Sequence, residues 1–585
     1  MPFAPLLRRL PCLALLAASA CHRTVPVQTL ATRVTTLADS TFATLVDVDP
    51  DFATRAGIAT GPHDRLPDNT PAGIAATQAR WDRLRSAVQA VDPVPLTGRP
   101  ERALYGIMRE RLDAEQQLRV CRHELWTVAS YVNGWQARFT DLALIQPTGT
   151  ELARAQALAR ARAIAPWLAQ EEANLREGLR TGYRAPTVIV RNVISQVDDL
   201  IATPPRQSPF FAPAMRDTTP AFVSSLAQVV AGEITPAMQR YRDFLANEYL
   251  SQAREALGVS NNHDGAACYA ATLRSFATIA IDPDTVLARG LREMARIEAE
   301  MRAISARSFG GESLATLLPR LRTDPRYTYR TSQEIIDSSQ AIIDRGKREM
   351  GKWFGRLPRA SLAIQPYPEF RQRAGAPGQY QAAPDDGSRP AIFLINPSDP
   401  TRVPRAGPTS TAVHEGIPGH HLQVALSKEQ GTAHPLSRYV FNSGFGEGWA
   451  LYAERLADEM GLFSSDLDRL GMLGSEAFRA ARMVIDASVH TKGWTREQAH
   501  EYLTAHTFVL GKKADGEIDR YISWPGQAPS YMIGRNEILA LRAEATQAMG
   551  DRFDIRAFHD IVLGDGSVPL AFLRQQVERW MRATR

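Results

Sequence analysis

"TSTAVHEGIPGHHLQVAL" (residues 409–426) is the stretch on which the reading of this chain turns. His414 and Glu415 open it as an H-E-x-x-H helix would, but Pro418 stands where the second His belongs. An α-helix turns about 100° per residue, so residues four apart share a face. That spacing lets H-E-x-x-H set two imidazoles on one zinc ion with the Glu beside them. The next histidines here, His420 and His421, come six and seven positions after His414. On an unbroken helix His420 would point away, and His421 would lie about 10 Å along the axis. Zinc–nitrogen bonds are only about 2.0–2.1 Å, so neither spacing chelates without a distortion. Pro418 lacks an N–H and disfavours a helical Ile417. Gly416 and Gly419 supply backbone freedom. The expectation is a helix that bulges. Two looped-out residues put His420 in the ligand position; three put His421 there, and the smaller bulge is favoured. A glycine-rich loop with surface histidines is the competing reading of this segment taken alone.

Working outward, "FGEGWALYAERLADEM" (445–460) starts a helix that carries Glu447 and Glu454. Glu447 follows His414 by 33 positions. In zinc peptidases with a Glu as third ligand, that Glu comes from the next helix, and "GEGWA" is similar to the "NEGFA" of aminopeptidases. Glu454 lies two turns further on the same face, which suits a supporting role or an alternative ligand. A carboxylate favoured by the helix dipole is the bland alternative for Glu447. "WPGQAPSYMIGRNEI" (524–538) resembles runs in Taq-type carboxypeptidases and thimet-type oligopeptidases that supply phenols to a tetrahedral intermediate. Tyr531 matches one such Tyr, and Gln527 replaces another. Donors of this kind stabilise developing negative charge, although Tyr531 also fits a core aromatic. In "RAARMVIDASVHTKGWT" (479–495), Arg479, Arg482, Asp486 and His490 recur at helical spacing. His490 is a candidate contact to substrate or oxyanion, or else a satisfied buried imidazole. Arg479, Arg482 and Arg535, with Gln527, are the candidate substrate-binding residues. "RHELW" (122–126) is a decoy, because no histidine follows His123 and Glu124 nearby.

The chain has 585 residues, 44% hydrophobic and 22% charged, which is the balance of a globular protein rather than a disordered or fibrous one. The formal charge is only +5, and +3 without Arg8 and Arg9 of the leader. That is too weak and too evenly spread for nucleic-acid binding. "MPFAPLLRRLPCLALLAASAC" (1–21) reads as an export signal: two arginines, a short apolar core, then small residues before Cys21. It is too short to span a membrane. Cys21 fits a lipoprotein processing site, although Ala18 stands where Leu is usual. Cys121 and Cys268 could pair in an oxidising compartment, but the sequence leaves this open, and their spacing is not that of a metal site.

Helical patterns dominate the rest. Residues 152–181 are rich in Ala, Leu, Arg and Glu. Asp282 and Pro283 start an amphipathic helix with Leu287, Leu291, Met294, Ile297 and Met301 on one face. Thr331 and Glu334 begin another. "AIFLIN" (391–396) is the best strand. No repeat of 20 to 50 residues is present.

The segments "HEGIPGHHLQ", "GEGWALYAE", "VIDASVHTKGWT" and "PGQAPSYMIG", with the lipoprotein-like leader, together resemble the bacterial domain-of-unknown-function family eight hundred and eighty-five. That family is similar to the gluzincin metallopeptidases, including thimet oligopeptidases and angiotensin-converting enzyme. The resemblance implies a mainly α-helical, two-lobed fold with a deep cleft and a small β-sheet next to the metal-site helices. The expected layout is a signal peptide (1–20), a lipid-attachment and linker segment (21–40), an N-terminal lobe (41–270) and a C-terminal lobe with the metal site (271–585). It further implies one zinc ion per chain, held by His414, His420 and Glu447, with Glu415 as general base and Tyr531 and His490 at the oxyanion. "AIFLIN" would be the edge strand for an extended peptide. The expected function is hydrolysis of short peptides in the cell envelope, with a membrane anchor on Cys21. A non-catalytic envelope lipoprotein that binds a peptide or protein is the rival.

Overall fold

The computed structural model describes residues 26–131, 133–367, 372, 377–384, 389–430 and 433–584. The expected signal peptide and Cys21 lie outside these residues. The fold is mainly α-helical with one small sheet. Among the described residues, no helix is long and apolar enough to cross a membrane.

Helix α1 (Val27–Val48) buries Leu30, Val34, Ala38 and Leu45. Their recurrence at about one turn forces this segment onto the core. The linker expected up to residue 40 is therefore helical from Val27 onward. In α2 (Glu151–Thr181) the Thr150 hydroxyl accepts a bond from the Ala153 amide, and Gly182 ends the helix at φ 90°, as left-handed helix ends favour glycine. The boundary expected at 270 falls inside α3 (Gly265–Ala277). One continuous apolar core includes both Leu30 and Met581. Cys268 of α3 is disulfide-bonded to Cys121, with their Cα atoms 4.6 Å apart.

Helix α4 (Pro283–Ser308) is capped by the Asp282 carboxylate, which accepts from the amides of Asp284 and Thr285. Its inward face runs Val286, Gly290, Met294, Ile297 and Met301. Leu291, expected on that face, is 48% exposed. The difference is one of close approach: a Cβ on Gly290 would lie 2.9 Å from side-chain carbons of Met483 and Val484. Glycine lets α4 lie directly against the later helix that carries those residues. Helix α5 (Ser332–Trp353) is capped as expected by Thr331, whose hydroxyl accepts from the Glu334 amide.

Strands β1 (Leu362–Pro366), β2 (Gly378–Gln381) and β3 (Ala391–Ile395) form a sheet in the order β1-β3-β2. β3 runs parallel to β1 and antiparallel to β2. All five residues of β3 are buried. "AIFLI" is thus the central strand, not the edge expected from sequence. Its unbroken apolar run suits a strand covered on both faces, and β2 is an outer strand instead.

Six helices then build the site: α6 (Ala406–Glu415), α7 (His420–Glu429), α8 (Ser443–Glu459), α9 (Asp466–Thr491), α10 (Gly511–Ser523) and α11 (Ser530–Met549). α9 is buried along most of its length. α8 and α11 meet main chain to main chain: a Cβ on Gly448 would lie 2.6 Å from the Gly534 Cα.

Candidate metal centre

The "HEGIPGHH" segment does not bulge within one helix. It breaks into two, α6 ending at Glu415 and α7 starting at His420. Gly416 to Gly419 make the link, with the Gly419 amide on the Val413 carbonyl and the His421 amide on the Gly416 carbonyl. A Cβ on Gly419 would lie 2.1 Å from the His414 carbonyl oxygen, so only glycine lets the chain fold back this closely. The Trp449 indole donates to the Pro418 carbonyl at 3.0 Å. The segment that supplies Glu447 therefore also pins the link.

This turn brings His414 and His420 together, with ring centres 4.9 Å apart. The Nε2 atoms of both lie 3.5 Å from the same Glu447 oxygen. Donors about 2.1 Å from a tetrahedral zinc ion sit about 3.4 Å from one another, so the three residues fit such an ion. Behind them, His414 Nδ1 donates to Glu454 at 2.8 Å, and the Ser410 hydroxyl donates to the same carboxylate. A carboxylate on the far nitrogen fixes the ring and its tautomer. Glu454 thus supports a ligand rather than joining the set. His421 points elsewhere: its Nε2 donates to the Ala360 carbonyl at 3.1 Å, and its Nδ1 faces the Tyr380 hydroxyl at 3.4 Å.

The charges follow from this packing. Burial pulls the His414 imidazole down, but Glu447 and Glu454 outweigh it and raise its pKa to about 9. Burial would raise Glu447; the two imidazoles beside it instead hold it well below the ordinary carboxylate range. With no such partner, burial lowers His421 to about 4. A protonated His414 must lose that proton to bind a metal, so metal uptake here releases protons.

Glu415 adjoins His414 on the last turn of α6, half-buried. One of its oxygens accepts the Tyr380 amide at 2.9 Å. That amide belongs to β2 and points away from β3, so Glu415 lies at the outer edge of the sheet.

The remaining candidates separate into two groups. Tyr531 and Gln527 stand together: Arg520 donates to Gln527 at 2.5 Å and approaches the Tyr531 hydroxyl at 3.4 Å. Arg479 and Arg482 flank the Tyr531 ring, and Arg479 reaches to within 3.9 Å of Glu454. His490 and Arg535 do not join them. His490 is fully buried; its Nδ1 accepts the Val259 amide and its Nε2 donates to the Tyr521 carbonyl, both at 3.0 Å. Burial lowers it to about 3, so it is a neutral structural imidazole with no nitrogen left for an oxyanion. Arg535 is committed to Glu476 at 2.9 Å and Glu293 at 3.1 Å. Sequence reading missed Ser410, Tyr380, Arg520 and Lys513. Arg520 carried the only signal, four residues before the "WPGQAPSY" run.

The fold has solved counterparts. One, described as "the putative lipoprotein from Colwellia psychrerythraea", superposes with a TM-score of 0.85 at 24% identity, covering 95% of this chain and 99% of that one. Another, "a putative lipoprotein of unknown function from Shewanella oneidensis", gives 0.72 at 18% identity, covering 94% and 99%. No curated protein matches the sequence. The family model described as "Bacterial protein of unknown function (DUF885)" matches residues 50–577, and the chain belongs to that family.

Proposed function

We propose that this protein is a metal-dependent hydrolase that cleaves peptide bonds in short peptides, with one zinc ion held by His414, His420 and Glu447. The observation that carries the reading is the donor set itself: two imidazole nitrogens, each 3.5 Å from one carboxylate oxygen, with a second carboxylate behind His414. Bound there, zinc would supply Lewis-acid polarisation of a peptide carbonyl and acidify water. Glu415 holds the proton in this scheme. One oxygen is tied to the Tyr380 amide, which orients the carboxylate, and the other can take a proton and return it to the leaving amine. A peptide would lie extended beside the sheet, since at the outer edge of β2 the Tyr380 amide is already held by Glu415. Tyr531, with Arg520 at its hydroxyl, is the candidate donor to developing negative charge. The leader and the two solved counterparts favour a place in the cell envelope, anchored through Cys21.

Glu415→Gln is the decisive variant, because it keeps size and hydrogen bonding while removing the base. It should bind one zinc per chain as the parent does, and turnover on a short-peptide library should fall about 10²–10⁴-fold. Equal cleavage by both proteins would exclude this mechanism. Zinc and peptide binding without cleavage by the parent would establish the binding-lipoprotein reading instead.

A further inference from the structure

Beside the metal ligands lies a group of cations that the protein itself does not balance. Arg482 of α9 and Arg520 of α10 are both buried, with guanidinium carbons 4.6 and 5.9 Å from the Tyr531 ring centre. Arg479 stands 6.0 Å from the same ring. Lys513 of α10 is open to solvent and has no ion pair among the described residues. It lies one turn before Glu517 and two before Arg520, on the same face of α10. Two carboxylates answer these four cations. Glu517 sits 3.1 Å from Arg482 and 3.6 Å from Arg520. Glu454 is 3.9 Å from Arg479 but already holds His414 and Ser410. Donors are also in surplus: the Nε atoms of Arg479, Arg482 and Arg520 are buried without hydrogen-bond partners. Buried charge without countercharge is unfavourable, and it persists where a ligand brings the missing sign.

We infer that this group is a carboxylate-binding subsite, in which an anionic ligand group docks against Arg482, Arg520 and Lys513 beside Tyr531. Guanidinium forks match carboxylates in pairs of parallel bonds. Arg479 also comes within 3.9 Å of Glu454, the carboxylate behind His414, so the subsite adjoins the support of the candidate metal centre. That the ligand is a peptide rests on the proposed function; the carboxylate preference does not. The carboxylate has two possible sources, a free C-terminus or an Asp or Glu side chain.

The test is calorimetric binding to zinc-loaded, full-length Glu415→Gln protein, with three probes: tetra-alanine, tetra-alanine amide, and N-acetyl-Ala-Glu-Ala-Ala amide. A carboxylate-bearing probe should bind about tenfold or more tighter than tetra-alanine amide, the worth of a charge-assisted hydrogen bond. Tighter tetra-alanine assigns the C-terminus as the source; tighter acetylated peptide assigns the side chain. Lys513→Met and Arg520→Gln, added to the same background, should each shrink that ratio severalfold. If Arg520→Gln fails to fold, Lys513→Met decides, because that side chain is exposed. Equal affinity for all three probes, no binding of any, or a ratio unchanged by the substitution would overturn the subsite. Cleavage by the parent without discrimination between acid and amide would remove the subsite and leave the hydrolase standing. Discrimination without cleavage would do the reverse.

Discussion

Helix α9 contributes to two groups of buried arginines that differ in one respect. Around Glu476, Arg296, Arg455 and Arg535 converge at 2.8 to 3.0 Å, and Glu293 and Glu300 complete the group. Three cations meet three carboxylates. About one and two turns along, Arg479 and Arg482, with Arg520 and Lys513 of α10, share Glu517 and part of Glu454. The first group is closed electrostatically, although the Arg535 Nε is buried there without a hydrogen-bond partner. The second retains positive charge, with Arg479 3.9 Å from the Glu454 carboxylate that holds His414. A list of arginines on one helix therefore says little until their carboxylates are counted.

The comparison breaks most readily at Glu476. Glu476→Ala would leave three arginines facing two carboxylates and should cost about 3–5 kcal/mol in urea unfolding. A loss below about 1 kcal/mol would show that the group is not closed as described. A pH series sharpens the contrast between two fully buried carboxylates of α9. Burial raises Glu476, but its arginines outweigh this and bring it to about 2. Its contribution to stability is thus present above its ordinary 4.5 and lost as pH falls toward 2. Among the described residues, Asp486 has only the Tyr269 hydroxyl and the Gly526 amide at hydrogen-bonding distance, and burial raises it to about 7. Its contribution is present below its ordinary 3.8 and lost as pH rises through 7. Asp486→Asn should therefore flatten the fall in the urea midpoint between about pH 4 and 7; an unchanged slope would contradict the assignment. The smallest effect is expected at Lys513, an exposed side chain in the surplus group. Lys513→Met should change stability by less than about 0.5 kcal/mol in either direction, and a large loss would mean that the lysine balances charge rather than awaiting it.

Much of this was legible in sequence because periodicity and capping are local. Asp282, Thr331 and the long alanine-rich stretch mark their helices where they stand. That His414, His420 and Glu447 meet was readable because the His-Glu motif and the Glu of a later helix restrict spacing severely. The errors arose where contact between distant segments decides. Gly290 replaced Leu291 on the inner face of α4 because α9 comes too close for a side chain. "AIFLIN" read equally well as edge or centre, since strand order depends on what pairs with it. His490 sat at the right spacing but is held by main chain from Val259 and Tyr521. Lys513 had no motif at all; its meaning comes from Arg479 and Arg482, 34 and 31 positions earlier.

The contact of Gly448 with Gly534 has a mechanical consequence. Glu447 precedes the first glycine by one residue, and Tyr531 precedes the second by three. With no side chain at the crossing, α8 and α11 have nothing to rotate or slide over, and parting them would open a void along both main chains. The Glu447 carboxylate and the Tyr531 phenol therefore behave as fixed points on one stiff frame, with a separation set by backbone contact. Any widening of the site to admit a ligand must come from the facing side, where Glu415 is fastened to the main chain of a four-residue strand. The hinge, in that case, lies with Glu415 and not with Glu447.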